Sequence, residues 1–229
     1  MNRPKIAILA SGNGTTAEAF IRAGADGSID ATVGLIICNN PKAGIFDRVA
    51  ALNSALGLEI QCLHISHLTN PPNGEELVRG QQTDAEEQAI MNKLKAGNYD
   101  AIVLMGYLKL VGPKLVEEFG WRKEYDSPYQ ATMLNTHPGL LPLTKGLYGI
   151  YAQSHTLSNN EPYGGHTLHV VAEAYDDGPV IRERKVLVEP QDTAETLFDR
   201  VQQSEKKYLP VDTDEFIKNR QEFLAKGGN

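Results

Sequence analysis

A chain of 229 residues with 41% hydrophobic and 22% charged residues carries enough apolar mass for one folded domain, or one with a substantial appendage. Its 29 acidic and 22 basic residues leave a net charge of -7. That balance argues against a dedicated nucleic-acid or anionic-membrane binder, because phosphate surfaces select clustered Lys and Arg. Cys38 and Cys62 each sit inside an apolar run and read as reduced core thiols of a cytoplasmic protein. Two thiols without His or acid at matching spacing make no zinc site. Met1-Asn2-Arg3-Pro4 leads straight into a short strand, so no secretory signal is expected, and no apolar run approaches membrane-spanning length.

Lys5 to Ala10 is a continuous apolar run ending in a glycine-rich turn, the pattern of a buried parallel strand. A helix is expected from Thr15 to Ala25, a strand from Ala31 to Cys38, a helix from Ile45 to Leu56 and a strand from Glu59 to His64. Ser66 to Gln82 is polar and reads as a long loop. Asp84 to Ala96 is an amphipathic helix, Ala101 to Met105 a fourth strand, and Pro113 to Phe119 a helix with proline at its start. This alternation predicts a doubly wound α/β sheet with right-handed crossovers. Trp121 to Gln130 reads as an inserted or mobile loop. Met133-Leu134 then opens a buried strand, and a helix is expected around Leu147 to Leu157. Gly165 to Ala174 and Val180 to Val188, joined by Asp176-Asp177-Gly178-Pro179, read as antiparallel neighbours. A helix runs from Thr193 to Leu209, where Pro210 breaks or kinks it, and a separate amphipathic helix follows from Asp212 to Ala225.

Two motifs carry chemistry. Asn135-Thr136-His137-Pro138 lies at the carboxyl edge of its strand, and alternation points Asn135 and His137 to one side. Pro138 keeps His137 extended. With Asp176, these supply an amide, an imidazole and a carboxylate, enough to hold an oxyanion and move a proton without a metal or a protein nucleophile. Ligands of open α/β sheets bind outside such carboxyl ends. Taken singly, Asp176 in Asp-Asp-Gly-Pro is also a natural turn former, Asn135 a turn cap and His137 an ordinary strand-end histidine.

The second motif is Ser11-Gly12-Asn13-Gly14-Thr15, between the first strand and first helix. Its free N–H groups and the helix dipole suit an anionic group, although Gly-Asn-Gly is also ordinary turn chemistry. The run matches the dinucleotide fingerprint by pattern, but the second strand ends Ile37-Cys38-Asn39-Asn40, with no acid for a ribose hydroxyl. No Gly-Lys-Ser/Thr follows, so it is not a Walker loop. His166 and His169, three apart in a β run, face opposite sides, which is poor metal-ligand geometry.

In order, Ser11-Gly12-Asn13-Gly14, Asn135-Thr136-His137-Pro138 with Leu140-Leu141-Pro142, Asp176-x-Gly178-Pro179-Val180-Ile181, and Arg200-Val201-Gln202-x-x-Glu205 resemble the phosphoribosylglycinamide formyltransferase family from about Lys5 to Pro210. The resemblance implies a Rossmann-like formyltransferase fold, doubly wound and mostly parallel with an antiparallel C-terminal part. It implies one domain over 1–229, with a phosphate-binding half (about 1–110), a catalytic and folate-binding half (about 111–212) and a C-terminal helix (about 212–225). It also implies formyl transfer from 10-formyltetrahydrofolate to the amine of 5'-phosphoribosylglycinamide in de novo purine biosynthesis, in the cytoplasm, by a monomer or homodimer using no metal.

Position by position, Asn135, His137 and Asp176 match the family's catalytic trio, and Ser11, Gly12, Asn13, Gly14 and Thr15 its phosphate loop. Gln202 and Glu205 match its second ribonucleotide contact, although they could instead be a solvated helix face. Leu108, Lys109, Leu110 and Val111, with Tyr175 on a wall from Val170 to Asp176, match its pterin pocket. The chain departs from the family pattern at Lys109 (usually Arg), Gly139 (often Ser), Tyr148 (usually His) and Asp177 (commonly Gly). Those departures keep open a formyltransferase acting on another amine, such as an amino sugar nucleotide. A formyltetrahydrofolate hydrolase would need an amino-terminal regulatory domain, for which Lys5 leaves no room. The more distant alternative is a nucleotide-binding module without catalysis.

Overall fold

The computed structural model describes residues 3–228, so expectations resting on Met1, Asn2 and Asn229 lie outside it. Seven strands form one sheet: β1 Lys5–Ala10, β2 Thr32–Cys38, β3 Gln61–His64, β4 Ala101–Met105, β5 Met133–His137, β6 Tyr163–Val170 and β7 Val180–Leu187. Their spatial order is β3-β2-β1-β4-β5-β6-β7. The first five run parallel, and β6 and β7 add antiparallel to β5 and to each other. The helices are α1 Thr15–Asp26, α2 Ile45–Leu56, α3 Asp84–Gly97, α4 Pro113–Phe119, α5 Ile150–Ser158 and α6 Ala194–Ala225.

Period-two alternation sorts the core into two layers. Ile6 and Ile8 of β1 face Phe20 of α1, Val49 of α2 and Phe216 of α6. Ala7 and Leu9 face the other way, towards Ile90 and Leu94 of α3 and Leu115 of α4. Phe20 and Phe216 are essentially inaccessible, and each such side chain contributes roughly 2–3 kcal/mol by leaving water. Local chemistry fixes the ends of several helices. Thr83 and Glu86 form a reciprocal capping box on α3, and Pro113 opens α4 where its missing N–H costs nothing. Crossovers from β1 run to β2 on one side and, after β3, to β4 on the other. The reversal leaves a crevice above the carboxyl ends of β1 and β4.

Four expectations need correction. Pro210 does not end the last helix: α6 is a single helix of 32 residues. Leu209 and Pro210 are buried, as are Phe216 and Ile217 one to two turns on, so packing against α1, β6 and β7 holds the helix across the missing N–H. Trp121 to Gln130 is a packed segment, not a free loop. Trp121 meets Tyr125 edge-on, and Tyr129 packs on Phe216 and Phe223 of α6. The wall from Val170 to Asp176 is not strand beyond Val170, because the N–H of Val170 bonds the carbonyl of Pro179 and closes a loop over 171–179. Cys62 is only partly buried, although Cys38 is in the core and both thiols are free. Among the described residues no helix is long and apolar enough to cross a membrane.

Candidate active site

β5 presents Asn135 and His137 on one side of its carboxyl end, as alternation requires, and the 171–179 loop returns Asp176 over them. Asp176 has φ 53°, a left-handed backbone that aspartate tolerates better than most residues. The three residues separated in sequence meet. Asp176 Oδ2 lies 3.3 Å from His137 Nδ1, and Asp176 Oδ1 accepts from Asn135 Nδ2 at 3.5 Å. The N–H of Gly146 donates to Asp176 Oδ2 at 2.9 Å. Burial alone would raise the Asp176 pKa. The hydrogen bond and attraction of His137, the neighbouring His169 and the Gly146 N–H outweigh it and hold the carboxyl well below the usual range.

His169 completes the cluster, and the sequence reading missed it. It is the cross-strand partner of Asn135 in the β5–β6 register, and its Nε2 lies 3.0 Å from Asn135 Nδ2 and 3.4 Å from Asp176 Oδ1. Its Nδ1 meets the carbonyl of Val170 at 2.9 Å and donates there, so Nε2 is the acceptor for Asn135. The spacing from His166 correctly separates the two rings, since His166 turns to Ser204 of α6. It says nothing of the register that brings His169 to Asn135. Thr144 was missed as well: its Oγ1 lies 3.0 Å from His137 Nε2.

The glycine-rich loop forms as expected. Gly14 stands before α1 with φ 72°, a conformation that strains any other residue, and no side chain caps the helix. The N–H groups of the first turn therefore remain for an anion. Gly12 and Asn13 are exposed and Thr15 is half-buried beside them. Ser11 is buried, and its hydroxyl accepts the N–H of Leu108 at 2.9 Å, tying this loop to the segment after β4. Gln202 and Glu205 lie one turn apart on α6. Glu205 joins the loop to the catalytic strand, accepting from Thr136 at 2.6 Å and from Thr16 at 3.1 Å. Desolvation raises its pKa against the two hydroxyl bonds.

Beside Asn135 lies a cleft walled by Leu104, Tyr107, Val111, Val171 and Tyr175, and lined also by Asn135, His169 and Asp176. Lys109 and Leu110 line it too, whereas Leu108 is largely exposed and outside it. Gly80 closes the rim, its carbonyl taking the N–H of Leu110 at 2.7 Å and the hydroxyl of Tyr175 at 3.3 Å. Lys109 does not reach out as a free charge; it is held by the buried Glu86 at 2.6 Å. Asp177 pairs with Lys145, and Tyr148 is exposed, edge-on to Tyr151. Among the described residues no group of three or more His, Cys, Asp or Glu could hold a metal ion.

Known proteins resemble this chain along nearly its whole length. The formyl transferase family model matches residues 4–213. The phosphoribosylglycinamide formyltransferase of Bacillus subtilis is 30% identical over 206 residues, covering 90% of this chain and 91% of its own. That of Haemophilus influenzae is 30% identical over 217 residues, covering 94% and 88%. The crystal structure of phosphoribosylglycinamide formyltransferase from Bacillus halodurans superposes with a TM-score of 0.74 at 31% identity, over 93% of this chain and 95% of that one. Glycinamide ribonucleotide transformylase 1 from Symbiobacterium toebii gives 0.76 at 27% identity, over 95% and 89%. Matched along nearly its whole length by the family model and by full-length relatives, the chain belongs to the phosphoribosylglycinamide formyltransferase family, within the formyl transferases.

Proposed function

We propose that this chain, as a single catalytic domain of the cytoplasm, transfers a formyl group from 10-formyltetrahydrofolate to the amine of 5'-phosphoribosylglycinamide, a step of de novo purine biosynthesis. The observation that carries the chemistry is the meeting of Asn135, His137 and Asp176, the first and last of which line the cleft. The cleft suits the pterin: its walls are apolar and aromatic, with the polar side chains of Asn135 and Asp176 among them. 10-Formyltetrahydrofolate supplies the formyl carbon.

Attack by the amine nitrogen forms the new C–N bond and places a negative charge on the formyl oxygen. Both N–H groups of Asn135 are engaged at rest, with His169 at 3.0 Å and Asp176 at 3.5 Å. The longer contact is the weaker, so that N–H is the one a developing oxyanion takes. A single such donor is worth about 3 kcal/mol in the barrier. Asp176 stays ionised and keeps the proton lost by the amine within the His137–Asp176 pair, from which it passes to the nitrogen that leaves. Gly12 to Thr15 hold the phosphate through backbone N–H groups, and Gln202 and Glu205 meet the ribonucleotide from α6.

A turnover assay with 10-formyl-5,8-dideazafolate tests the reading, comparing phosphoribosylglycinamide with amino sugar nucleotides. Formylation of the former at the higher kcat/KM is expected; preference for an amino sugar nucleotide would move the acceptor and keep the chemistry. Asn135→Ala should lower kcat roughly a hundredfold with an unchanged circular dichroism spectrum. A nucleotide-binding module would bind ligand with no turnover to lose.

A further inference from the structure

His137 is 2% exposed and both of its ring nitrogens are occupied: Nδ1 by Asp176 at 3.3 Å, Nε2 by the hydroxyl of Thr144 at 3.0 Å. Thr144 is itself fully buried. The same hydroxyl reaches the carbonyl of Leu140 at 3.0 Å, which also takes the Thr144 N–H at 3.2 Å. The ionised Asp176 can only accept, so Nδ1 presents its N–H there and Nε2 is left to the Thr144 hydroxyl.

The space for that hydroxyl exists because residue 139 is glycine. A Cβ built there would lie inside the contact radius of Thr144 Oγ1 and press on its Cβ. The segment between His137 and Thr144 is pinned from outside as well. Gln153 of α5, fully buried, donates to the carbonyl of Pro138, and Thr167 of β6 donates to the carbonyl of Gly139 at 2.7 Å. Neither Thr144 nor its pairing with Gly139 belongs to the motif by which the chain is recognised.

We propose that Thr144 is a positioning residue for formyl transfer, which, through the gap left by Gly139, fixes the His137 ring by the bond to Nε2. The inference rests on the functional reading above. Thr144→Val keeps the shape and removes the hydroxyl. It should lower kcat roughly tenfold, the usual worth of one buried hydrogen bond to an ionisable group, with KM for both substrates unchanged. Thr144→Ser restores the hydroxyl and should recover most of that loss. Gly139→Ala, which displaces Thr144 without altering it, should reproduce the Thr144→Val loss. Melting temperatures identify any variant that fails to fold.

The second readout needs no turnover. In spectra of protein labelled with 15N-histidine, Thr144→Val should move the His137 Nε2 signal and Thr144→Ser should return it towards its wild-type position. Wild-type kcat in folded Thr144→Val, an equal loss in Thr144→Ser, or an Nε2 signal unmoved by Thr144→Val would each overturn the proposal. A wild-type chain that forms no product from either acceptor would count against the functional reading alone, because the nitrogen spectra stand apart from the assay.

Discussion

Glu205 shows how one side chain serves two ends. It is the bridge between Thr16, just beyond the glycine-rich loop, and Thr136, between the two proposed catalytic residues of β5. Its carboxylate is desolvated and receives only two hydroxyl donors, so its folded pKa stands above its ordinary value of 4.5. The linkage has a definite sign. With a raised folded pKa, the native state binds the proton more tightly, so stability falls as pH rises from the unfolded pKa through the folded one. Glu205→Gln retains an acceptor for Thr136 and removes the charge. The variant should therefore be more stable than the parent in urea titrations at pH 8, and the difference should vanish near pH 4, where both side chains are neutral. A variant less stable at pH 8 would show that the ionised carboxylate is well solvated by its surroundings. The same residue illustrates what the chain spells out locally. The Gln-x-x-Glu spacing predicts two neighbours on one helix face, but which face turns inward depends on β5 and α1, more than sixty residues away.

At the scale of elements, the ends of α2, β4 and α4 were legible to the residue, because Gly44, Gly57, Pro113 and Gly120 punctuate them locally. The last helix was not. Pro210 reads as a stop, and only tertiary packing carries α6 to Ala225. Asp214, one turn past the proline, shows what that continuation does. Its Oδ1 accepts the N–H groups of Asp30 and Ala31 at 3.1 and 2.9 Å, satisfying the backbone just before β2. Asp214→Ala would orphan both donors, the second of them fully buried. It should cost about 2 kcal/mol, the usual penalty for unmet buried donors, and lower the melting temperature by roughly 4–8 °C. Lys218, half-exposed, pairs with Asp214 from the solvent side at 2.9 Å, and Lys218→Met should lower the melting temperature far less than Asp214→Ala does. Equal effects of the two changes would mean that the ion pair, not the backbone capping, is the link. The trio was readable because each member sits in a short motif. His169 and Thr144 were not, since β-sheet register and loop folding brought them in from positions without any motif.

Across the whole molecule, the proposed reaction brings two anionic small molecules to a chain of net charge -7. Three cations near the two binding regions add little to offset that field, for each is already matched by an acid. Arg48, whose Nε donates to the carbonyl of Asn13, pairs with Glu18; Lys109 pairs with Glu86; Lys145 pairs with Asp177. In the proposed reaction the phosphate is met by the uncapped N–H groups at the start of α1, whose attraction fades within about one helical turn. Beyond that distance the net negative charge governs the approach and repels. Salt screens such a field over about 10 Å at 0.1 M and about 30 Å at 0.01 M. The short, directional bonds of the bound state are much less affected. The kcat/KM for each substrate should accordingly rise, by roughly twofold, as sodium chloride increases from 10 to 100 mM, with kcat almost constant. A protein that steers its substrates with a basic funnel would lose kcat/KM over the same range. A steep decline here would show that the paired Arg48, Lys109 and Lys145 release their acids as ligand arrives, so that the cleft is far more positive in the encounter than at rest.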